Sequence, residues 1–338
     1  MAELRRRGVV GLAALALAPR LARADSFPAK PVRLIVPYPP GGGTDIIARL
    51  VAPRLSERWK QTVIVENKAG ASGIVGSEVV ARAAPDGYTL MIMTGAHTVN
   101  PATLKKLPYD TDRDFTPITT VAASPLALIG SVKAGMDSMA TFVAAARAQP
   151  GKLQFGSSEN TTRLGGELFR LRSGLKIENV AYKGAAPMMQ DVIGGHIAVA
   201  FSTPLSTRAY HRAGTARILA LSSKKRLAVI ADVPTMEEAG IKGVDQVNWF
   251  SLFGPGNLPG ERARFLQTEM AAVLAEPETL AKVRDLAASP AASRPRPSRP
   301  AFAKSSACGP RSPRRRASSL NKNSWSAVCD SWKMEKVP

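Results

Sequence analysis

Eight consecutive residues, Tyr38-Pro39-Pro40-Gly41-Gly42-Gly43-Thr44-Asp45, restrict what this chain can fold into more than any other stretch. They join an apolar run, residues 32–36, to a helix-like pattern that starts near Thr44. A strand, a glycine turn and a helix start in succession form an α/β corner that suits an anion. Glycines let bare N–H groups approach a ligand, and the first N–H groups of a helix lack internal partners and carry the positive end of its dipole. Phosphate and carboxylate both fit such a corner.

From Val32 onward short apolar runs alternate with helical stretches, which predicts parallel strands joined by crossover helices. Strands are expected at 32–36, 63–66 and 89–93, with helices at 44–58 and 73–83. The first helix puts Ile46, Ile47, Leu50, Val51 and Leu55 on one face and is expected to kink at Pro53, which cannot donate a backbone hydrogen bond. A second block offers a strand near 126–132, a helix at 138–149, a strand at 153–155, a helix at 164–172, and strands at 197–201 and 218–221. A strand at 247–253 and a helix at 259–274 follow. Two α/β units with the chain crossing between them imply a cleft, and ligands of open α/β sheets bind beyond the carboxyl ends of the strands.

The chain has 338 residues and a formal charge of +20, which at first suggests a nucleic-acid partner. The charge is concentrated at the ends. Residues 1–24 carry +4 and residues 287–338 carry +9, leaving +7 for the body. Arg5, Arg6 and Arg7, an apolar run at 8–18 and Ala22-Arg23-Ala24 read as a cleavable export signal covering 1–24, by either the general or the twin-arginine route. Both cysteines, Cys308 and Cys329, lie in the end segment, so the body suits an oxidising compartment. From about Ala287 the periodicity stops. Residues 287–338 are rich in proline, serine and arginine, as in a disordered basic tail or a stretch read in a shifted frame.

Chemistry-bearing motifs point to binding. There is no Gly-x-Ser-x-Gly, no His-Glu-x-x-His and no Gly-Lys-Ser/Thr ending to the first loop, so no cofactor and no metal are expected. Polar residues instead follow the expected strands: Thr94, Gly95, His97 and Thr98 after the third, then Ser157, Ser158, Asn160, Thr161 and Thr162, then Tyr182, Lys183 and Gly184. Together with Tyr38, Pro40, Gly41, Gly42, Gly43, Thr44, Asp45, Ser202 and Thr203 they form the candidate ligand-binding set. Hydroxyl, amide and N–H donors at several strand ends can solvate a carboxylate without a general base nearby.

Several segments carry a family resemblance. Val-Pro-Tyr-Pro-Pro-Gly-Gly-Gly-Thr-Asp at 36–45, Val65-Glu66-Asn67-Lys68, Pro85-Asp86-Gly87-Tyr88-Thr89-Leu90, Leu107-Pro108-Tyr109-Asp110, Asp114-Phe115-Thr116-Pro117 and Asp232-Val233-Pro234-Thr235 occur in the order found in Bug solute receptors. The chain resembles these extracytoplasmic substrate-binding components of tripartite tricarboxylate transporters over about 27–286. The resemblance implies an α/β, two-domain, type II periplasmic-binding-protein-like fold, with 25–124 plus 223–286 as one domain and 125–222 as the other. It also implies a periplasmic monomer that takes a small dicarboxylate, tricarboxylate or amino acid and hands it to large and small membrane subunits, with no nucleic-acid partner.

Three places depart from the family pattern. The loop at 157–163 lacks the glycines of Ser-x-Gly-x-Gly and places Glu159 where an anion would prefer none. Ser202 stands where aspartate is frequent, and the end segment lacks the family's last helix. The alternative functions are an enzyme acting on a small organic acid in the same cleft and a ligand sensor feeding a signalling system.

Overall fold

The structure is a computed structural model that describes residues 27–104 and 106–291. The expected export signal at 1–24, both cysteines and the tail from 292 onward lie outside the described residues. In chain order the elements are β1 (Val32–Val36), α1 (Gly43–Trp59), β2 (Val63–Asn67), α2 (Ile74–Ala81), β3 (Thr89–Thr94), α3 (Ala96–Thr103), β4 (Phe115–Pro125) and β5 (Ala127–Ser131). Then come α4 (Met139–Ala148), β6 (Gln154–Ser157), α5 (Asn160–Ser173), β7 (Glu178–Ala181), α6 (Ala185–Gly194), β8 (Val199–Ser202), α7 (Pro204–Arg212) and β9 (Ala216–Leu221). β10 (Val247–Pro255), α8 (Gly260–Ala275), α9 (Pro277–Asp285) and β11 (Ser289–Pro290) complete the described chain.

The strands form two sheets, and each organises a lobe. The first has the order β11-β4-β10-β3-β1-β2 and the second β7-β6-β8-β5-β9. The expected parallel pairing holds for β1 with β2 and β3, and for β6 with β7 and β8. It fails for β5 and β10, which run antiparallel to both of their neighbours. Neither is reached through a crossover helix: β5 follows β4 after Leu126 alone, and β10 follows the loop that leaves β9. A parallel neighbour needs a long crossover, so a strand entered directly from the other lobe runs the opposite way.

The crossing point is stitched by backbone. Leu126 N–H donates to Ser222 Oγ and Ser222 N–H donates back to the Leu126 carbonyl, both at 2.8 Å. The Ser222 hydroxyl donates on to the Gln246 carbonyl. Helix α5 lies so close that a Cβ on Gly165 would sit 2.3 Å from Leu126 Cδ1.

Strand β5 shows why the apolar runs were legible as strands. Leu128 packs into one core cluster of the second lobe with Phe155, Phe169 and Phe201, while Ala127 and Ile129 pack on the opposite face with Met188 and Val192. Both faces are covered, so the strand is apolar from Ala127 to Ile129 and buried to its end at Ser131. In the first lobe α1 buries Ile47, Ala48, Val51, Ala52 and Leu55, whereas Ile46 and Leu50 are only partly buried. The helix continues as one element through Pro53. Pro53 and Arg49, whose carbonyl loses its partner, both lie on the exposed side, where water can satisfy that carbonyl.

The expected break at Ala287 is displaced. Ala287 and Ala288 are buried, the Ala287 carbonyl accepts from the Ser124 hydroxyl at 3.0 Å, and Ser289 and Pro290 pair with Ala123 and Ala122 of β4. Residues 287–291 therefore complete the first sheet.

Candidate ligand cleft

Four helices begin at the cleft between the lobes. α1 starts after Gly42, α5 after Glu159, α6 after Gly184 and α7 after Thr203, and all four of these preceding residues line the cleft. Gly43, Thr44, Ser158, Thr162, Ala185, Ser202 and Ser206 extend the lining along the same helix starts, and Tyr38, Asn248 and Phe250 close it from the first sheet. Among the described residues the lining contains no lysine, arginine or histidine. Positive potential here comes from helix dipoles, free N–H groups and hydroxyls.

The glycine loop is held from behind. Gly41 has φ +81, a value that favours glycine, and its N–H donates to Asp45 Oδ2 at 3.0 Å. Asp45 also accepts from Asn67 Nδ2 at 2.8 Å and from Arg49 Nε at 3.0 Å. Burial opposes ionisation, but the Arg49, Gly41 and Asn67 hydrogen bonds outweigh it and hold the carboxyl below its usual pKa. Asp45 thus shapes the loop and does not line the cleft, and Pro40 and Gly41 lie at its exposed tip. Asp45→Ala is expected to destabilise the protein by about 1–3 kcal/mol, since it strips acceptors from the Gly41 N–H and the Asn67 amide; urea unfolding at neutral pH measures it.

The structure sorts the remaining candidates. Thr94 is buried behind the lining and touches it through its hydroxyl, which accepts from Tyr38 Oη at 3.0 Å and donates to Glu159 Oε2. Gly95 N–H orients Asn248 by donating to its Oδ1 at 3.3 Å. Thr98 is exposed and donates to the Gly95 carbonyl. His97 lies outside the cleft, buried in an aromatic nest of Tyr109, Phe115 and Phe253. The expected loop after β3 is helix α3, and it turns His97 inward.

Ser158 and Thr162 line the cleft, and Thr162 Oγ1 accepts from the Ser158 and Glu159 N–H groups. Ser157 accepts from Asn179 instead, and Thr161 is buried within α5. Asn160 clasps the first lobe: its N–H donates to Ser72 Oγ at 3.0 Å and its Nδ2 to Asn100 Oδ1 at 2.8 Å. Of the trio at 182–184 only Gly184 lines the cleft. Tyr182 donates to Asp191 Oδ2 at 2.8 Å, its pKa pushed up to about 12 by burial and by Asp191, and Lys183 is exposed.

Glu159, Ala185, Ser206, Asn248 and Phe250 line the cleft but were outside the candidate set. Asn248 and Phe250 stand two apart on β10, so they share a face of the strand. That alternation was visible in the sequence; the helix starts at Ala185 and Ser206 had no comparable signal. In sequence Glu159 reads only as unfavourable for an anion. Burial pushes its carboxyl above the usual range, against hydrogen bonds from Thr94, Tyr38 and Asn248 that favour the charged form.

Two α/β lobes joined at a narrow crossing, with a polar cleft walled by helix starts, define a solute-binding receptor of the type II periplasmic-binding-protein class. The chain belongs to the tripartite tricarboxylate transporter receptor family. The family described as "Tripartite tricarboxylate transporter family receptor" matches residues 47–294. Protein BugT of Bordetella pertussis is 35% identical over 236 residues, covering 69% of this chain and 72% of that one. Among solved structures, Rpa4515 of R. palustris with adipate is 35% identical with a TM-score of 0.76, covering 78% of this chain and 90% of that one. MatC from Rhodopseudomonas palustris with bound malate is 26% identical with a TM-score of 0.73, again covering 78% and 90%. The family is one of periplasmic receptors, as the sequence motifs implied.

Proposed function

We propose that this chain captures a small carboxylate between its lobes and delivers it, as a monomer, to the large and small membrane subunits of a tripartite tricarboxylate transporter. The observation that carries this is the cleft wall: helix starts and hydroxyls, with no basic side chain. Such donors replace the hydration shell of a carboxylate without a permanent ion pair, which suits a receptor that must release its ligand. Tyr38, Gly42, Gly43, Thr44, Ser158, Thr162, Gly184, Ser202, Thr203 and Asn248 are the contacts assigned to it. The relatives that hold adipate and malate support the ligand class. Export with removal of 1–24, and hinge motion of 25–124 plus 223–286 against 125–222, belong to the same proposal.

Isothermal titration of the mature protein with adipate, malate, other dicarboxylates, tricarboxylates and amino acids tests it. At least one member should bind with a micromolar or lower Kd. No heat from any member, together with no ligand-induced rise in Tm, would overturn it.

A further inference from the structure

The cleft already contains a carboxylate, and it belongs to the chain. Glu159 stands at the start of α5 in the second lobe, yet its side chain is held by the first. Oε1 accepts from Asn248 Nδ2 at 2.8 Å on β10, and Oε2 accepts from the Thr94 hydroxyl at the end of β3. Thr94 Oγ1 in turn accepts from Tyr38 Oη at 3.0 Å. One lobe thus presents two carboxylate oxygens to donors on the other, as a ligand bridging the lobes would. Among the described residues that line the cleft, Glu159 is the sole carboxylate. The remaining room is small, a cavity of about 30 Å³, enough for little more than ordered water.

We propose that Glu159 is a tethered carboxylate that occupies the ligand's own carboxylate subsite, at Tyr38, Thr94 and Asn248, and holds the lobes together until a free carboxylate displaces it. This rests on the carboxylate assignment of the cleft. Glu159 then sets affinity by competition. Its backbone is fixed beside the site by the Thr162 contacts and by the neighbouring Asn160 clasp, so its effective concentration there is high and independent of solution conditions. If Glu159 fills the subsite about nine-tenths of the time, a free ligand binds about tenfold more weakly than the donors alone would allow. The receptor answers only to ligand levels that exceed this internal competitor.

The test compares wild type, Glu159→Ala and Glu159→Gln as full mature chains. Each is titrated with adipate and with malate, and each is measured by small-angle X-ray scattering without ligand. Glu159→Ala is expected to bind whichever acid the wild type binds at least tenfold more tightly. Its ligand-free radius of gyration should exceed that of wild type and fall when the acid is added. Glu159→Gln keeps one acceptor oxygen and should lie between the two. Equal or weaker affinity in Glu159→Ala overturns the proposal, since a Glu159 that contacts the ligand directly, for instance an ammonium group, would lose binding on truncation. Equal ligand-free radii also overturn it. If neither protein binds either acid, the ligand assignment fails for those acids, while the scattering still decides whether Glu159 holds the lobes together. If the alanine variant does not fold, the glutamine variant carries both comparisons.

Discussion

Gly184→Val is expected to weaken ligand binding by at least about a hundredfold while the protein stays folded. Gly184 has φ 172, an extended backbone that any residue adopts, so no strain arises within the second lobe. The obstacle lies across the cleft. A Cβ at Gly184 would sit 2.6 Å from Pro39 Cγ and 2.7 Å from Pro39 Cδ, both in the first lobe. Pro39 and Pro40 stiffen that loop, and Asp45 anchors it, so it has little freedom to retreat. The lobes are therefore wedged apart. A ligand then keeps the donors of one wall and loses those of the other; two or three hydrogen bonds at about 1 kcal/mol each amount to about a hundredfold in Kd. Thermal melts should show an almost unchanged Tm that ligand no longer raises. Binding within tenfold of wild type would mean that the Pro39 loop yields and that contact at this point does not limit closure.

The second large effect concerns acid stability. His97 is 2% exposed, neither ring nitrogen has a hydrogen-bond partner among the described residues, and burial lowers its pKa from 6.5 to about 4. The folded protein therefore keeps His97 neutral where the unfolded chain protonates it. Stability is full above pH 6.5 and is lost progressively as pH falls to about 4, by about 3 kcal/mol at ~1.4 kcal/mol per pH unit. Glu159 works in the opposite sense, because its raised pKa favours the folded state as it takes up its proton. The difference between wild type and His97→Phe isolates the histidine. The phenylalanine variant should match or exceed wild type at pH 7 and lose about 3 kcal/mol less on going to pH 4, measured by urea unfolding at several pH values. Parallel losses in the two proteins would show that His97 is protonated in the folded state.

The parts of the fold that were legible are those where a strand is buried on both faces. β3 and β5 have apolar centres because both of their faces are buried, and β1 departs from this only at Arg33, which pairs with Glu66. β4 was missed: its sequence, Phe115-Thr116-Pro117-Ile118-Thr119-Thr120-Val121-Ala122-Ala123-Ser124-Pro125, has prolines near both ends and polar residues between its buried positions. α3 carries no helix signal in sequence, because His97, Thr98, Asn100 and Pro101 are weak helix formers; burial of Ala96, His97, Val99 and Asn100 against the first lobe overrides that preference. The glycine-loop half of the cleft could be read from sequence because glycines before a helix state a backbone purpose locally. Glu159 could not. Its role depends on Thr94 and Asn248, which are 65 and 89 residues away in the chain, and nothing near Glu159 reveals which donors the opposite lobe will present.

The short strand β11 has a consequence for how this receptor behaves when concentrated. A sheet edge with free N–H and C=O groups is a template for another chain. In the first sheet Ser289 and Pro290 pair with Ala123 and Ala122 near one end of the β4 edge, and proline brings no N–H of its own to offer outward there. At the other edge, β2, Glu66 pairs with Arg33 at 2.7 Å and has Lys68 nearby, so a strand docking there would have to bury charge. The β2 margin and the Ala122–Ala123 stretch of β4 are thus made poor partners for further strands. At high concentration these blocked stretches lower the chance that one receptor molecule adds its strand to another's sheet.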